Sequence, residues 1–236
     1  THVVSRAGQP GYSKTWLGLG ADLADRGFIV LAPNNPNAVS GEAFHTLQRK
    51  ANPLGKSIFS LITANHQRLL EWLQTQPFVD PRRIAFYGLS YGGKTAVRVP
   101  ALLPEYCLSI CSGDWNDYVP KMMSVRRDKN TFMFTASHET IEFNLANTFS
   151  YAEMAALIAP RPFMVENGYH DLVMPVEWAS AEYAKLQKVY FYLGIPDRIE
   201  LEYFDGPHRI DGKATVTFLH RHLDWPEPAE KADASP

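Results

Sequence analysis

A serine lies between two glycines at residues 88–92, in the order Gly-Leu-Ser-Tyr-Gly. The apolar run IAFYG leads into it and a run with helical spacing follows. A strand, a G-x-S-x-G turn and a helix together are the setting of a nucleophile elbow. Because the turn is tight, Gly88 and Gly92 are expected to keep side chains away from Ser90, and Gly93 to add room. An ordinary glycine-rich turn is the alternative, but the flanking elements favour Ser90 as a nucleophile.

A serine at the start of a helix is well placed for a reaction that passes through an anion. The helix dipole and the free amides of the first turn favour negative charge at that point. The backbone N–H of Tyr91, directly after Ser90, is predicted to donate one hydrogen bond to an oxyanion. Serine is a weak nucleophile near neutral pH, so the chain must also supply a base.

The candidate base is one of eight histidines. His208 lies in FDGPHRIDG, between the last predicted strand and the closing helix, and reacting groups in open parallel sheets gather at the carboxyl ends of strands. His208 is therefore the predicted base, and His170, in the loop after PFMVENG, is the alternative. For five others, in a predicted loop, helix or insertion, a partly exposed histidine without a chemical role is the simpler interpretation; they are His45, His66, His138, His220 and His222.

A carboxylate is needed to orient the base and to stabilise its imidazolium form. Asp171 lies just past a predicted strand, in GYHDLVMP, and completes the order Ser90, Asp171, His208. A turn or helix N-cap role for Asp171 is the alternative. Asp114 also follows a strand, whose end would face the same site, so it is the second candidate acid. Glu166 lies within a strand run and is less favoured.

The elements that must position these residues alternate between short apolar runs and runs with helical spacing, which predicts a parallel sheet with crossover helices. Pro100 is expected to shorten or kink the helix after Ser90. The region after Asn34 is predicted as a polar loop. The predicted strands are 28–33, 84–88, 107–113, 162–168 and 198–204, and the predicted helices are 15–27, 57–77, 94–103, 151–160, 175–194 and 212–223.

Residues 114–149 lose clear periodicity and are predicted to form an insertion over the strand ends. Several aromatic side chains in this stretch could line a substrate pocket, and Trp115 and Tyr118 are the principal candidates. Packing of the insertion onto the body is an equally strong interpretation. The other aromatic residues considered with them are Phe132, Phe134 and Phe143.

Composition excludes several classes of partner. The chain has 236 residues, a net charge of -2 and 45% hydrophobic residues, which is typical of a soluble globular domain with a substantial core. That charge gives no electrostatic reason to expect nucleic acid or an anionic membrane as partner. The acidic and histidine residues of the insertion, Asp114, Asp117, His138 and Glu139, lack compact metal-ligand spacing. The sequence therefore predicts no metal and no cofactor.

A phosphate-binding loop is not predicted either, although residues 92–95 imitate the end of one. Gly88, Gly93, Lys94 and Thr95 have the spacing of such a loop, but the same residues form the predicted nucleophile elbow, which is the favoured interpretation. The two cysteines, Cys107 and Cys111, are predicted on one face of a strand, roughly 13 Å apart at ~3.3 Å per residue. A disulfide needs Cα atoms within about 7 Å, so both are predicted to be buried free thiols.

Three segments together resemble the α/β-hydrolase superfamily, closest to its dienelactone-hydrolase-like and acetyl-xylan-esterase-like branch: GLSYGGKTA, ALIAPRPFMVENGYHDLVMP and FDGPHRIDG. LADRGFIVLAPN is similar to the strand after the oxyanion loop in that branch. The resemblance runs from about residue 15 to 225 and implies a mostly parallel central sheet flanked by helices. The predicted domain is 1–225, with the insertion 114–149. The resemblance also implies a triad of Ser90, Asp171 and His208. Dienelactone hydrolases carry a cysteine nucleophile, so Ser90 favours esterase chemistry.

The start of the chain departs from that family's pattern. The family has earlier strands and a His-Gly-type loop that supplies a second oxyanion donor, and no such motif is found near Thr1. We expect the N-terminal strands to be lacking, and the donor either to lie upstream or to be replaced by a residue in 1–14. The tail 226–236 is predicted to be disordered, and neither a cytoplasmic nor a secreted location is favoured.

The function predicted from these observations is a serine-dependent carboxylic ester hydrolase that works through an acyl-enzyme. Its expected substrate is a small-molecule or carbohydrate ester, with acetylated carbohydrate as one candidate. A serine peptidase of the prolyl-oligopeptidase type shares the Ser, Asp, His order and is the first alternative. A non-catalytic relative used for binding is the second.

Overall fold

The computed structural model describes residues 5–9, 13–34, 41–126, 131–134 and 141–227. Four parallel strands form its central sheet in the order β1-β2-β3-β4. This arrangement confirms the predicted α/β fold. The strands are β1 (Ala85–Leu89), β2 (Leu108–Ser112), β3 (Phe163–Gly168) and β4 (Ile199–Phe204).

Helices cover both faces of the sheet. One face packs against α3, α4, α6 and α7, and the other against α1 and α8. Because every strand runs in the same direction, all four carboxyl ends meet at one edge, where the loops with Ser90, Asp171 and His208 emerge. The helices in the described residues are α1 (Leu19–Asp25), α2 (Gly41–Ala51), α3 (Ile58–Leu73), α4 (Tyr91–Leu102), α5 (Tyr118–Met123), α6 (Tyr151–Ala156), α7 (Val176–Tyr192) and α8 (Lys213–His222).

The central strand β2 shows why its sequence is apolar on both faces. Leu108 and Ile110 point toward α1 and α8, whereas Cys111 points toward α4 and α6. Both cysteines are free thiols, with Cys111 buried and Cys107 half-buried. Burial raises the pKa of the Cys107 thiol to about 11, so it stays protonated near neutral pH and is a poor nucleophile.

The predicted strand at 28–33 is wrong. Phe28 and Val30 pack against the core while Ile29 and Leu31 are 61% and 45% exposed, so the run alternates as an extended chain does. No strand among the described residues pairs with it, and β1 pairs only with β2. An apolar run predicts extended backbone, but a strand also needs a neighbouring strand to supply its hydrogen bonds.

A helix forms where a loop was predicted, and it contains His45. Gln48 attaches α2 to the start of α3: its side chain is fully buried, and its amide oxygen accepts the N–H of Ile58 at 2.8 Å. Its amide nitrogen donates to Asn52 at 2.7 Å. The helix is therefore docked by a polar side chain as well as by buried Phe44, and a search for apolar spacing alone misses it.

Among the described residues of the predicted insertion 114–149, the structure contains α5 and short 3-10 turns at 132–134 and 145–147. A buried ion pair between Arg98 of α4 and Glu142, 2.7 Å long, holds the far end of the insertion against the body. His138 and Glu139 lie outside the described residues, as does most of the tail predicted to be disordered. Among the helices that the structure describes, none has the length and apolar character that crossing a bilayer requires.

Candidate active site

Ser90 occupies the sharp turn between the end of β1 and the start of α4. Its backbone angles, φ 60° and ψ −116°, are strained for a residue with a side chain. Its N–H donates to the carbonyl oxygen of Ser112 at 2.8 Å, which fixes the turn against the end of β2. Its own carbonyl accepts the N–H of Lys94 at 2.9 Å and so begins α4. This is the strand–turn–helix geometry of a nucleophile elbow.

Of the glycines around Ser90, Gly88 has the steric role predicted for it and Gly92 does not. A Cβ at Gly88 would lie 2.4 Å from the backbone of Gly92, and one at Gly93 would lie 2.3 Å from the carbonyl oxygen of Ser112. A Cβ at Gly92 would meet nothing within 4 Å. Gly88 and Gly93 are therefore the positions that exclude a side chain, and the role predicted for Gly92 is corrected.

Asp171 and His208 meet at the ends of β3 and β4. His208 Nδ1 lies 2.7 Å from Asp171 Oδ2, and the carboxylate side chain is 1% exposed. The other carboxylate oxygen accepts the N–H of Val173 at 2.8 Å, which holds the acid in place. With Nδ1–H donating to a buried carboxylate, Nε2 is left as the acceptor that a general base needs.

The imidazole of His208 also lies at the end of β2, beside the elbow. Gly113 has φ 65°, and a Cβ there would stand 2.8 Å from His208 Cε1 and 2.7 Å from Leu89 Cδ1. Gly113 follows Ser112, whose carbonyl holds the Ser90 N–H. The structure thus gathers the three predicted residues at the carboxyl ends of four adjacent strands.

Replacing Gly113 by alanine is expected to lower kcat by about 10- to 100-fold, because the new methyl group would displace the His208 ring. Gly194→Ala is the matched control. Gly194 also has positive φ, at 72°, but a Cβ there meets nothing within 4 Å. Both variants should lose about 1 kcal/mol of stability from the backbone conformation alone. Thermal unfolding and p-nitrophenyl acetate kinetics separate the two effects, and equal kcat values in the two variants would contradict this placement of His208.

The alternative base and acids have other partners. His170 is largely exposed and pairs with exposed Asp205 at 3.0 Å. Asp114 is buried, accepts hydrogen bonds from Tyr151 and Asn116, and makes none to His208. Burial raises the pKa of Asp114, although the charges of three nearby cations oppose the shift; these are Lys94, Arg98 and Lys121.

The two aromatic residues predicted to line a substrate pocket lie in the core. Trp115 is fully buried, and its indole N–H donates to the Ala179 carbonyl at 3.1 Å. Tyr118 is 2% exposed. Neither offers surface to a substrate in this structure, so the packing interpretation describes both. Phe134 and Phe143 are about half exposed, and Phe132 packs against the core.

A cavity of about 350 Å³ adjoins the buried acid. Asp171 and Leu172 form part of its lining, and so does Tyr169, which is 56% exposed. The Tyr169 ring stacks on Tyr203 with centroids 5.2 Å apart. Sequence reasoning did not find this aromatic surface, although Tyr169 stands two residues before the predicted acid.

Replacing Glu202 by glutamine is expected to make stability less dependent on pH. Burial, and then the charges of Glu166 and Asp211, raise the pKa of Glu202 from 4.5 to about 7. The folded state therefore favours the protonated form. The stability contributed in this way is present below pH 4.5 and is lost as the pH rises through 7. At pH 8 the variant should exceed the wild type by about 1–2 kcal/mol, a figure reduced for partial solvent screening.

Urea unfolding at pH 5 and pH 8 checks this expectation, with exposed Glu105→Gln as the control. The gain from Glu202→Gln should be smaller at pH 5, where the folded wild type already holds the proton. A gain that is the same at both pH values, or that also occurs in Glu105→Gln, would contradict the raised pKa.

Two further expectations concern oxyanion donors and metals. Tyr91 is the first residue of α4, where backbone N–H groups have no acceptor within the helix, as the predicted oxyanion donor requires. The second donor was expected in the segment 1–14, parts of which lie outside the described residues. In the portion of the chain that the structure describes, no group of three or more His, Cys, Asp or Glu side chains could hold a metal ion.

The sequence pattern of the prolyl oligopeptidase family matches residues 20–229. The chain belongs to this family. This membership confirms the prediction that the chain belongs to the α/β-hydrolase superfamily. The peptidase alternative predicted from the sequence comes from the same family. YtaP of Bacillus subtilis (strain 168), a proposed hydrolase, is 29% identical over 145 residues, which are 61% of this chain and 46% of that protein.

Two solved structures show the same fold at low identity. A proposed acetyl xylan esterase of Bacteroides fragilis NCTC 9343 aligns with a TM-score of 0.71 and 16% identity, over 92% of this chain and 64% of that chain. A family 15 carbohydrate esterase, the glucuronoyl esterase of Caldicellulosiruptor kristjansonii, gives a TM-score of 0.54 and 21% identity, over 69% and 48%. The chain of this prolyl oligopeptidase family member spans about half the length of YtaP.

Proposed function

We propose that this member of the prolyl oligopeptidase family is a serine hydrolase that cleaves carboxylic esters through an acyl-enzyme. Ser90 is the nucleophile, His208 the base and Asp171 the orienting acid. One observation carries the proposal: the 2.7 Å bond between a buried carboxylate and an imidazole that lies beside a strained serine turn. A base held by a buried acid next to a serine on a helix N-terminus is the arrangement that serine acyl transfer requires.

The proposed reaction has two halves. Ser90 Oγ attacks the ester carbonyl while His208 Nε2 takes the hydroxyl proton, and Asp171 stabilises the imidazolium. The N–H of Tyr91 donates to the oxyanion of the tetrahedral intermediate. His208 then returns the proton to the leaving alcohol, which breaks the ester bond. In the second half His208 takes a proton from a water molecule, which attacks the acyl-Ser90 ester; His208 then returns the proton to Ser90 Oγ as the acyl–oxygen bond breaks and the carboxylic acid is released.

Carbohydrate esters are the proposed substrate class. Of the two structural neighbours named above, one is a glucuronoyl esterase and the other a proposed acetyl xylan esterase. The cavity beside Asp171 is lined in part by an exposed aromatic ring, that of Tyr169. A flat aromatic ring offers an apolar surface with a polar tip, which suits the C–H face and hydroxyls of a sugar.

Peptide hydrolysis is the second candidate, and the family match favours it. The same three residues would cleave an amide, because His208 would protonate the leaving amine in place of an alcohol. The two candidates differ in the leaving group, so a comparison of substrates distinguishes them. Acetylated xylan, a methyl ester of glucuronic acid, p-nitrophenyl acetate and a prolyl peptide amide form the test panel.

A fluorophosphonate probe tests the nucleophile without assuming a substrate. We expect it to label one residue, and peptide mapping to place the label on Ser90. Ester turnover that exceeds peptide turnover at equal enzyme concentration supports the esterase. The reverse order supports the peptidase. A label on another residue would overturn the assignment. If the probe labels no residue and no substrate is turned over, the non-catalytic alternative is favoured.

A further inference from the structure

Glu166 is a buried carboxylate with no place in the proposed proton transfer. It lies in β3, beside the N-terminus of α8, and is 0% exposed. Its Oε1 accepts the backbone N–H groups of Asp211 at 3.1 Å and Gly212 at 2.8 Å. Its Oε2 accepts the hydroxyls of Ser112 at 2.5 Å and Tyr87 at 3.0 Å. The two oxygens therefore bind two different parts of the chain.

Those two parts are the ones that carry the proposed base and anchor the proposed nucleophile. Asp211 and Gly212 close the loop that contains His208, and Gly212 is the N-cap of α8. Ser112 ends β2, and its carbonyl oxygen holds the Ser90 N–H at 2.8 Å. A single carboxylate thus joins the segment of His208 to the anchor of Ser90.

The loop from 205 to 212 has a support at each end. At its start the N–H of His170 donates to the Gly206 carbonyl at 3.0 Å, which ties the loop to β3. Toward its end the N–H of Ile210 donates to the Thr15 carbonyl at 2.9 Å, and the two bonds to Glu166 follow. Glu166 is the support that also reaches β1 and β2.

We propose that Glu166 is a positioning residue that sets the separation of His208 from Ser90 by binding both segments through one carboxylate. This inference rests on the proposed function. Proton transfer needs the two side chains within hydrogen-bond reach, and a displacement of about 1 Å can cost about 10²-fold in rate. An apolar side chain at 166 would leave two amides and two hydroxyls without their acceptor, so the loop would shift to find other partners.

Three variants separate positioning from simple loss of a buried charge. Glu166→Met keeps the length of the side chain and removes both acceptors. Glu166→Gln keeps one oxygen for the two amides, and its NH₂ group can donate to the two hydroxyl oxygens. Glu182→Met is the matched control, because Glu182 is also 0% exposed and accepts a backbone N–H, from Ala152 at 2.9 Å, between α6 and α7.

The readouts are kcat and KM for p-nitrophenyl acetate, corrected for the folded fraction, and hydrogen exchange in the peptide covering 205–213. For Glu166→Met we expect kcat to fall about 30- to 100-fold with KM changed less than about threefold. Exchange of the loop amides should be faster in the same variant. Glu166→Gln should recover kcat to within about fivefold of the wild type, because it restores an acceptor for the loop. Glu182→Met should alter neither kcat nor loop exchange.

Three outcomes would overturn the positioning role of Glu166. Two of them are equal kcat values in Glu166→Met and Glu182→Met, and unchanged loop exchange in Glu166→Met. Equal losses in Glu166→Gln and Glu166→Met would overturn it as well. Should Glu166→Met fail to fold, Glu166→Asp replaces it, since a side chain shorter by one methylene cannot reach both segments and must lower kcat in the same sense. Loop exchange does not depend on activity, so a failed Ser90 assignment would be recognised separately, by turnover that survives Ser90→Ala.

Discussion

Replacing Ser90 by alanine is expected to lower kcat for p-nitrophenyl acetate by about 10⁴- to 10⁶-fold. The change removes the atom that would form the acyl-enzyme. The residual rate should still exceed that of the uncatalysed reaction, because the Tyr91 amide and the binding surface remain. KM should change little, since Ser90 contributes small contact area to a bound ester.

Ser57→Ala is the control that the chain offers for this experiment. Both serines are helix N-caps, but the Ser57 side chain accepts the N–H of Phe59 at 3.1 Å, whereas the Ser90 side chain makes no capping bond. Ser57→Ala should therefore cost about 1 kcal/mol of stability with kcat unchanged. Ser90→Ala should show the opposite pattern. Retention of more than a tenth of the wild-type kcat in Ser90→Ala would remove Ser90 from the mechanism.

The three residues of the candidate site could be predicted from sequence because each follows a run of strand length that is rich in apolar and aromatic residues. Ser90, Asp171 and His208 stand just past β1, β3 and β4. In a parallel sheet all such positions share one edge, so reading strand ends along the chain is enough to group them. The run of β1 was recognisable because a strand covered on both faces carries few polar residues, whereas β4 was recognisable from its alternation of glutamate with apolar residues.

Position at a strand end does not distinguish Asp171 from Asp114, because both acids follow strands. Asp114 and Asp171 both leave the sheet at the same edge, and only the packing of later elements separates them. Asp114 faces the cations of α4 and α5, whereas Asp171 faces the loop after β4. Neither direction is encoded in the residues next to the acid. The same limit applies to Trp115, whose burial depends on α7 closing over it.

Glu166 shows a second limit of sequence reasoning. A glutamate inside a buried strand suggests a misplaced charge, and its partners are an amide pair and two hydroxyls from distant segments. Almost every residue carries a backbone N–H, so the residue types at 211 and 212 do not show that their N–H groups bind Glu166. The sequence signal is the presence of two polar residues, Glu166 and Asn167, in a strand that is covered on both faces.

Replacing Asp171 by asparagine is expected to lower kcat by about 10³- to 10⁴-fold, with a small change in thermal stability. The side chain keeps its size, but its NH₂ group facing His208 Nδ1 would favour the tautomer with the proton on Nε2. That tautomer cannot accept the Ser90 proton. The second Asp–His pair of the described residues provides the matched control, because Asp205 lies 3.0 Å from His170 at the surface. Asp205→Asn should change neither kcat nor stability.

Asp114→Asn completes the test, because Asp114 is the other acid at a strand end. Its carboxylate is buried near Lys94, Arg98 and Lys121, so losing the negative charge removes part of the charge balance of this buried group. We expect a loss of about 2–4 kcal/mol in stability, with kcat per folded molecule close to that of the wild type. Urea unfolding measures the first quantity and active-site titration with the fluorophosphonate corrects the second. If Asp114→Asn lowers kcat and Asp171→Asn does not, the acid after β2 serves His208, and the 2.7 Å bond after β3 has a structural role alone.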